Sequence, residues 1–243
     1  MKSMPIGLVG RGRVARHLCH WFALEGIAWV QWHRGSPDTL EYTLEECRTI
    51  LLAISDDSIE ALADAHPQLA DRNTLHLSGS RTIPGIPGFH PLISFGPDLY
   101  GLDVYRSIPF ITEAGGPTFP EVFPGLPNPH RELDAEKKAL YHALCVMSGN
   151  FSTILWNRAF QGFEENLGLP REILLPYLKQ IAVNLETNPD QALTGPLARG
   201  DVGTMKANLN ALGNDPLSNI YKAFTTLFNF DLSSPDTREE ANS

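Results

Sequence analysis

Short apolar runs and helical periods alternate along the first half of the chain. "IGLVG", from Ile6, is an apolar run of strand length that breaks at Gly10. "RVARHLCHWFALEG" then repeats its apolar positions at helical spacing and is stopped by Gly26. "IAWVQWH" predicts a second strand, "TLEECR" a short helix, and "TILLAIS" a buried strand rich in branched residues. "DDSIEALADAHPQLA" predicts a helix with Asp56 or Ser55 near its cap. "NTLHLSG" is a fourth strand and "PFITEA" a further one. Strands alternating with helices imply right-handed crossovers and a doubly wound parallel sheet.

After Ala114 the texture changes. "GGPTFPEVFPGLPNPH" holds too much Pro and Gly for a regular helix, and predicts a linker over 114–132 with a short strand around Val122. From Leu133 the pattern is almost wholly helical. "ELDAEKKALYHALCVMSGNFSTILWNRAFQGFEENLG" is apolar on more than one side, which places it in an interior or an interface. "REILLPYLKQIAVNLET", bent or started at Pro176, and "DPLSNIYKAFTTLFNF" follow. The expected layout is therefore an α/β domain over 1–132, an all-α domain over 133–230 and a disordered tail over 231–243. So apolar a helix also predicts a homodimer through the C-terminal helices.

Composition narrows the function classes. A net charge of −9 and an isoelectric point near 5.3 argue against general nucleic-acid binding. No apolar run approaches the ~20 residues of a membrane span, and the N-terminus shows no signal-peptide pattern. Cys19, Cys47 and Cys145 are odd in number and suggest neither a disulfide framework nor a zinc site, so the chain reads as cytoplasmic. The histidines show no paired metal spacing beyond His17 and His20, for which no third ligand presents itself, so no metal is expected. Charge is uneven, however. Through Arg34 there are five cations (Lys2, Arg11, Arg13, Arg16, Arg34) and one acid, Glu25. Between Ser36 and Asp64 there are eight acids and one cation, Arg48. A positive start on an acidic protein points to a local anionic ligand.

Gly10-x-Gly12-x-x-Ala15 supplies the ligand class. It follows a strand and opens a helix, the context that makes this spacing a dinucleotide-binding turn. Gly10 allows the tight turn, Gly12 lets a pyrophosphate approach the backbone, and Ala15 lets helix and strand pack closely. Arg11, Arg13 and Val14 complete the turn, and the helix N-terminus offers free N–H groups. At the end of the second strand an NAD site usually carries an acid for the ribose hydroxyl. This chain has "QWHRGSP", with no acid before Asp38. Arg34, with Ser36 beside it, stands where a 2′-phosphate would lie, so the expected cofactor is NADP(H). Ser55-Asp56 and Ser78-Gly79 follow the next strands and belong on the same rim.

"HLSGS", "GFHPLISF", "ALYHALCVMSGNF" and "ALTGPLARGD" occur in that order. With the N-terminal glycines they resemble the family known as domain of unknown function 2520, from Ile6 to about Leu227. The resemblance implies a Rossmann-like domain followed by a helical dimerisation domain, in the layout of pyrroline-5-carboxylate reductase and ketopantoate reductase. It implies NADP-linked oxidoreduction in a cleft between the two domains, with no assigned substrate. It places His90 near the nicotinamide and brings His142 and Asn150 to the site from the long helix. Thr194, Gly195, Arg199 and Asp201 become a loop that closes over substrate or holds the helical domain together. One departure stands out. The related β-hydroxyacid dehydrogenases carry a lysine four residues before an asparagine. Here Val146 precedes Asn150 at that spacing, and Lys137 and Lys138 are too early.

Hydride transfer to a carbonyl or imine requires a proton donor or charge stabiliser within ~3 Å. His142 is the first candidate, since imidazole carries either protonation state near neutral pH. His90 is the rival, Asn150 can orient substrate through its amide, and Arg199, with Thr194, can hold a substrate carboxylate. The expectation is thus a reductase of a small carbonyl or imine. The alternative is a non-catalytic NADP(H)-binding sensor or assembly protein.

Overall fold

The computed structural model describes residues 4–230 and 232. The tail expected over 231–243 therefore falls, Leu232 apart, outside the described residues. The chain divides into two compact units, Met1–Leu155 and Trp156–Ser243. Composition places a change of texture at 132/133, and the compact units divide after Leu155.

In the first unit, strands β1 (Ile6–Val9), β2 (Trp29–Trp32), β3 (Thr49–Leu52) and β4 (Asn73–His76) form a parallel sheet in the order β2-β1-β3-β4. Alternation along the strands divides their side chains between two cores. Leu8 and Leu51 join helix α1 (Arg13–Glu25) on one face, through Ala15, Leu18, Trp21 and Phe22. Val9, Ile50 and Leu52 pack on the other with α2 (Leu40–Thr43) and α3 (Ile59–Ala65), through Leu40, Leu44 and Ile59. This is the doubly wound arrangement the sequence predicts. α1 stops where the sequence stops it: Gly26 is left-handed (φ 69°), and its N–H returns to the carbonyls of Phe22 and Ala23.

Two strands were not anticipated. β5 (Phe89–Pro91) pairs antiparallel with β6 (Phe110–Glu113), and β6 pairs parallel with β7 (His130–Leu133). A bridge from His76 to Gly88 links the two sheets. The Pro/Gly-rich stretch is no plain linker. Between α4 (Leu102–Ser107) and β7 it forms α5 (Phe119–Val122), a helix where a strand around Val122 was expected. A reciprocal capping box explains it: Thr118 and Glu121 satisfy one another's backbone donors. Phe119, Val122 and Phe123 then drop into the α1 core, where Phe123 meets Trp21 and Phe22.

The long apolar segment is also more than one helix. α6 (Lys138–Cys145) runs into a π-helical stretch, Val146–Phe151, before α7 (Ser152–Glu165) continues. Leu140, Leu144, Met147, Phe151 and Ile154 recur every three or four residues along it, each between 52 and 66% exposed.

The second unit holds α8 (Leu174–Thr187), α9 (Gly195–Arg199), α10 (Val202–Leu212) and α11 (Leu217–Leu227). Asp201 caps α10 by accepting from the Thr204 N–H, and Arg158 pairs with Asp215. Among its described residues only Leu174 and Met205 are buried hydrophobic side chains.

Candidate active site

A cavity of about 770 Å³ opens at the carboxyl ends of β1 to β4, the edge where ligands of parallel sheets bind. The β1–α1 turn forms its floor. Gly10 has φ +126°, and a Cβ there would overlap the carbonyl of Ala53 on the neighbouring strand. Its N–H donates to the Trp32 carbonyl and its own carbonyl accepts from Gln31 Nε2, at 2.8 Å each. Gly10 is thus demanded by the sheet itself. Gly12 differs: a Cβ there would meet nothing within 4 Å and would stand in open space. Gly12 also sits at the N-cap of α1. Among the described residues no side chain caps that helix, and its first turn holds no acid. Its leading N–H groups and positive dipole end are left for an anion.

Arg11, Gly12, Arg13, Val14 and Arg34 all line this cavity, as do Ser55, Asp56 and Ser78. Arg34 is exposed at the end of β2. Two predicted residues stand back from it. Ser36 closes the turn that carries Arg34, its hydroxyl accepting from the His33 N–H at 3.0 Å. Arg13 reaches the lining, yet its guanidinium donates to the Phe95 carbonyl at 3.2 Å. Neither Ser55 nor Asp56 acts as the helix cap that "SDDS" suggests. Ser55 bonds Ser58. Asp56 accepts from the hydroxyls of Ser78 at 2.7 Å and Ser80 at 3.3 Å, fastening the β3 rim to the β4 rim.

Beyond Ser78 lies a second, water-sized cavity of about 10 Å³, lined by Ser78, Gly79, Gly88, His90, Glu113, Lys138 and Tyr141 among others. Four ionisable side chains meet here: His90, Glu113, Lys138 and Tyr141. An ideal Cβ on Gly79 would lie 2.8 Å from His142 Cδ2 and 3.0 Å from His90 Nε2, so only glycine lets both rings close over this loop. The two imidazoles stand 6.4 Å apart, nearly perpendicular. His90 Nδ1 is 2.7 Å from the Tyr141 hydroxyl. Burial, aided by His142 and the Lys138 ammonium, pushes the His90 pKa down to about 4. His90 is therefore a neutral imidazole at physiological pH. His76 behaves alike: burial first, then Lys138, lowers it to about 4. Its Nδ1 accepts from the Ser78 N–H, and its Nε2 has no partner among the described residues.

Lys138 and Glu113 form a nearly buried ion pair at 2.8 Å, and Glu113 also accepts from the Gly88 N–H at 3.2 Å. Sequence reading passed over Lys138, Tyr141 and Glu113. The first two could have been found, because 138, 141 and 142 share one helical face at the i, i+3, i+4 spacing. Glu113 could not, since only the β6 register brings it beneath that face. Asn150 is exposed within the π-helical stretch. Thr194 precedes α9, and Arg199 lies 4.0 Å from Asp201, both within the second unit. Among the described residues no group of three or more metal-ligating side chains could hold an ion, and no helix is long and apolar enough to cross a membrane.

Residues 113–227 match the family described as Domain of unknown function (DUF2520). Solved structures of similar fold extend over nearly the whole chain. A protein from Bacteroides fragilis, described as a candidate NADP oxidoreductase, superposes with a TM-score of 0.72 at 20% identity, covering 93% of this chain and 98% of its own. An imine reductase from Streptomyces aurantiacus gives 0.62 at 15% identity, covering 93% of each chain. Pyrroline carboxylate reductase from Plasmodium falciparum, crystallised with NADP bound, gives 0.59 at 13% identity, covering 94% of this chain and all of that one. No curated protein matches the chain. At these identities the likeness is one of fold: a Rossmann-type parallel sheet followed by a helix-rich region.

Proposed function

We propose that this chain, whose residues 113–227 match the DUF2520 family, is an NADP(H)-dependent oxidoreductase that reduces a small carbonyl or imine. One observation carries the reading. The uncapped start of α1, with Gly12 open to solvent, faces a cavity of about 770 Å³ that Arg34 borders. The chemistry of that wall fits a dinucleotide. Backbone N–H groups at residues 11–14 would bind the diphosphate, and the Arg34 guanidinium would grip a 2′-phosphate through forked bonds. When bound, the cofactor supplies the hydride; the protein holds and polarises the acceptor. His142, half-exposed above Gly79, would release the proton to the reduced oxygen or nitrogen. His90, half-buried and neutral, would serve as a hydrogen-bond donor and not as the acid. Roles for Asn150 in orienting substrate, and for Thr194 and Arg199 in binding it, rest on the family resemblance.

We further propose a homodimer through the C-terminal helices. Leu140, Leu144, Met147, Phe151 and Ile154 leave an apolar stripe uncovered, and the second unit has only two buried hydrophobic side chains among its described residues. A second copy would cover both. The three free cysteines suit a reducing compartment such as the cytoplasm.

Calorimetry with NADPH and NADH tests the cofactor reading directly. The wild-type chain should prefer NADPH. Arg34→Asp should lose about tenfold or more in NADPH affinity, since charge-assisted bonds contribute roughly 1.5–3 kcal/mol each before solvent screening. An unchanged preference would remove the argument from Arg34. NADPH oxidation across 2-keto acids, ketolactones and cyclic imines then separates an enzyme from a sensor, which would bind without turnover.

A further inference from the structure

The second cavity contains a group that the reductase reading does not use: Tyr141, wedged between His90 and Cys145. Its hydroxyl lies 2.7 Å from His90 Nδ1, with the two rings edge to face at 5.7 Å. Burial first, and then Cys145 beside it, pushes Tyr141 above its ordinary pKa, so the hydroxyl keeps its proton. That proton has two possible acceptors. A thiol sulfur is a weak acceptor, whereas an unprotonated imidazole nitrogen is a strong one. The tyrosine O–H therefore donates to His90 Nδ1. A ring nitrogen that accepts cannot carry hydrogen, so the His90 proton sits on Nε2. Nε2 is the atom that overhangs Gly79.

We infer that Tyr141 is a positioning residue that holds His90 as the Nε2–H tautomer, so that a neutral imidazole presents an N–H donor above Gly79 to the charge developing on a reduced carbonyl or imine. The part played by that donor rests on the proposed reductase function; the tautomer itself does not. Every charged or titratable neighbour leaves this assignment in place. Lys138 and His142, on the same helix as Tyr141, disfavour a second proton on His90, as does His76 from β4. Asp56 favours one, but the others and burial outweigh it. A neutral donor is apt for this chemistry. It stabilises the forming anion without surrendering a proton, which leaves His142 free to act as the acid.

Long-range ¹H–¹⁵N correlation spectra of the ¹⁵N-histidine-labelled full chain test this without cofactor or turnover. The His90 signals are assigned by their absence in His90→Gln. Wild-type His90 should show a pyridine-type Nδ1 and a pyrrole-type Nε2, unchanged from pH 8 to pH 6. Tyr141→Phe, which keeps the ring and removes the hydroxyl, should pull the two shifts toward each other as both tautomers become populated. With an active substrate in hand, kcat should also fall about tenfold at unchanged NADPH affinity, the factor that one neutral hydrogen bond supplies. A pyrrole-type Nδ1 in the wild-type chain overturns the inference, and that spectrum decides even if Tyr141→Phe does not fold. A folded Tyr141→Phe with the wild-type spectrum overturns it too. Failure of NADPH to bind would sink the reductase reading and leave the tautomer standing.

Discussion

Replacing Lys138 by methionine strands a carboxylate. In the wild-type chain the Lys138 and Glu113 side chains are 6% and 13% exposed and meet at 2.8 Å. Gly88 gives them room, since a Cβ there would overlap the lysine ammonium. With the lysine gone, Glu113 keeps one protein donor, the Gly88 N–H at 3.2 Å. Losing one member of a buried pair costs about 3–5 kcal/mol, because the remaining charge has neither water nor partner. At about 2–4 °C per kcal/mol for a chain of this size, the melting temperature should drop about 6–20 °C. Glu113→Gln, which strands the ammonium, should behave alike. Lys138→Met with Glu113→Leu should recover most of the loss, since an apolar pair of similar volume needs no compensation. Tryptophan fluorescence near neutral pH is the natural readout, as Trp21, Trp29 and Trp32 all lie in the first unit. A loss below about 1 kcal/mol in both single variants, or a double variant no better than either, would show that the pair is not buried in the sense described.

Two further outcomes follow from the same geometry. Gly10→Ala and Gly12→Ala should separate folding from binding. The first forces a Cβ into the Ala53 carbonyl at φ +126° and should cost more than about 2 kcal/mol, while the second should fold normally and lose NADPH affinity; denaturant melts and calorimetry on both variants check this. Stability should also fall as pH drops from about 6.5 toward about 4. His76 and His90 titrate near 4 when folded and near 6.5 when unfolded, so between those values the unfolded chain binds more protons. Their contribution is complete above pH 6.5 and declines by up to about 1.4 kcal/mol per pH unit for each histidine. Melts from pH 7 to pH 4.5 should show this slope reduced in His76→Gln, and equal stability at pH 7 and pH 5 would contradict it.

Period and punctuation alone determine much of this protein. Alternating runs at Ile6, Ile27, Thr49 and Asn73, with helices between them, specify a parallel sheet, because buried parallel strands need a covering layer on each face. Gly26 is readable as a helix stop and Gly10 as a tight turn, since glycine there answers a local backbone demand at positive φ, and Gly12 is readable from its spacing to Gly10. Arg34 and the missing acid after β2 are legible for a similar reason: the strand end is a fixed address in such a sheet. Tertiary structure alone decided what distant segments do to one another. The Pro/Gly stretch reads as a linker by composition, yet Phe119 and Phe123 bury against α1 once the capping box at Thr118 sets a turn of helix. Lys138 seemed misplaced for chemistry by its distance from Asn150. The register of β6 and the pitch of α6 set it on Glu113, with Tyr141 on His90 and His142 over Gly79. Local pattern governs local conformation because its forces act between neighbours in sequence. The protonation state of a buried imidazole depends on which remote hydroxyl, ammonium and carbonyl the fold carries to within a few ångströms, and no spacing along the chain encodes that.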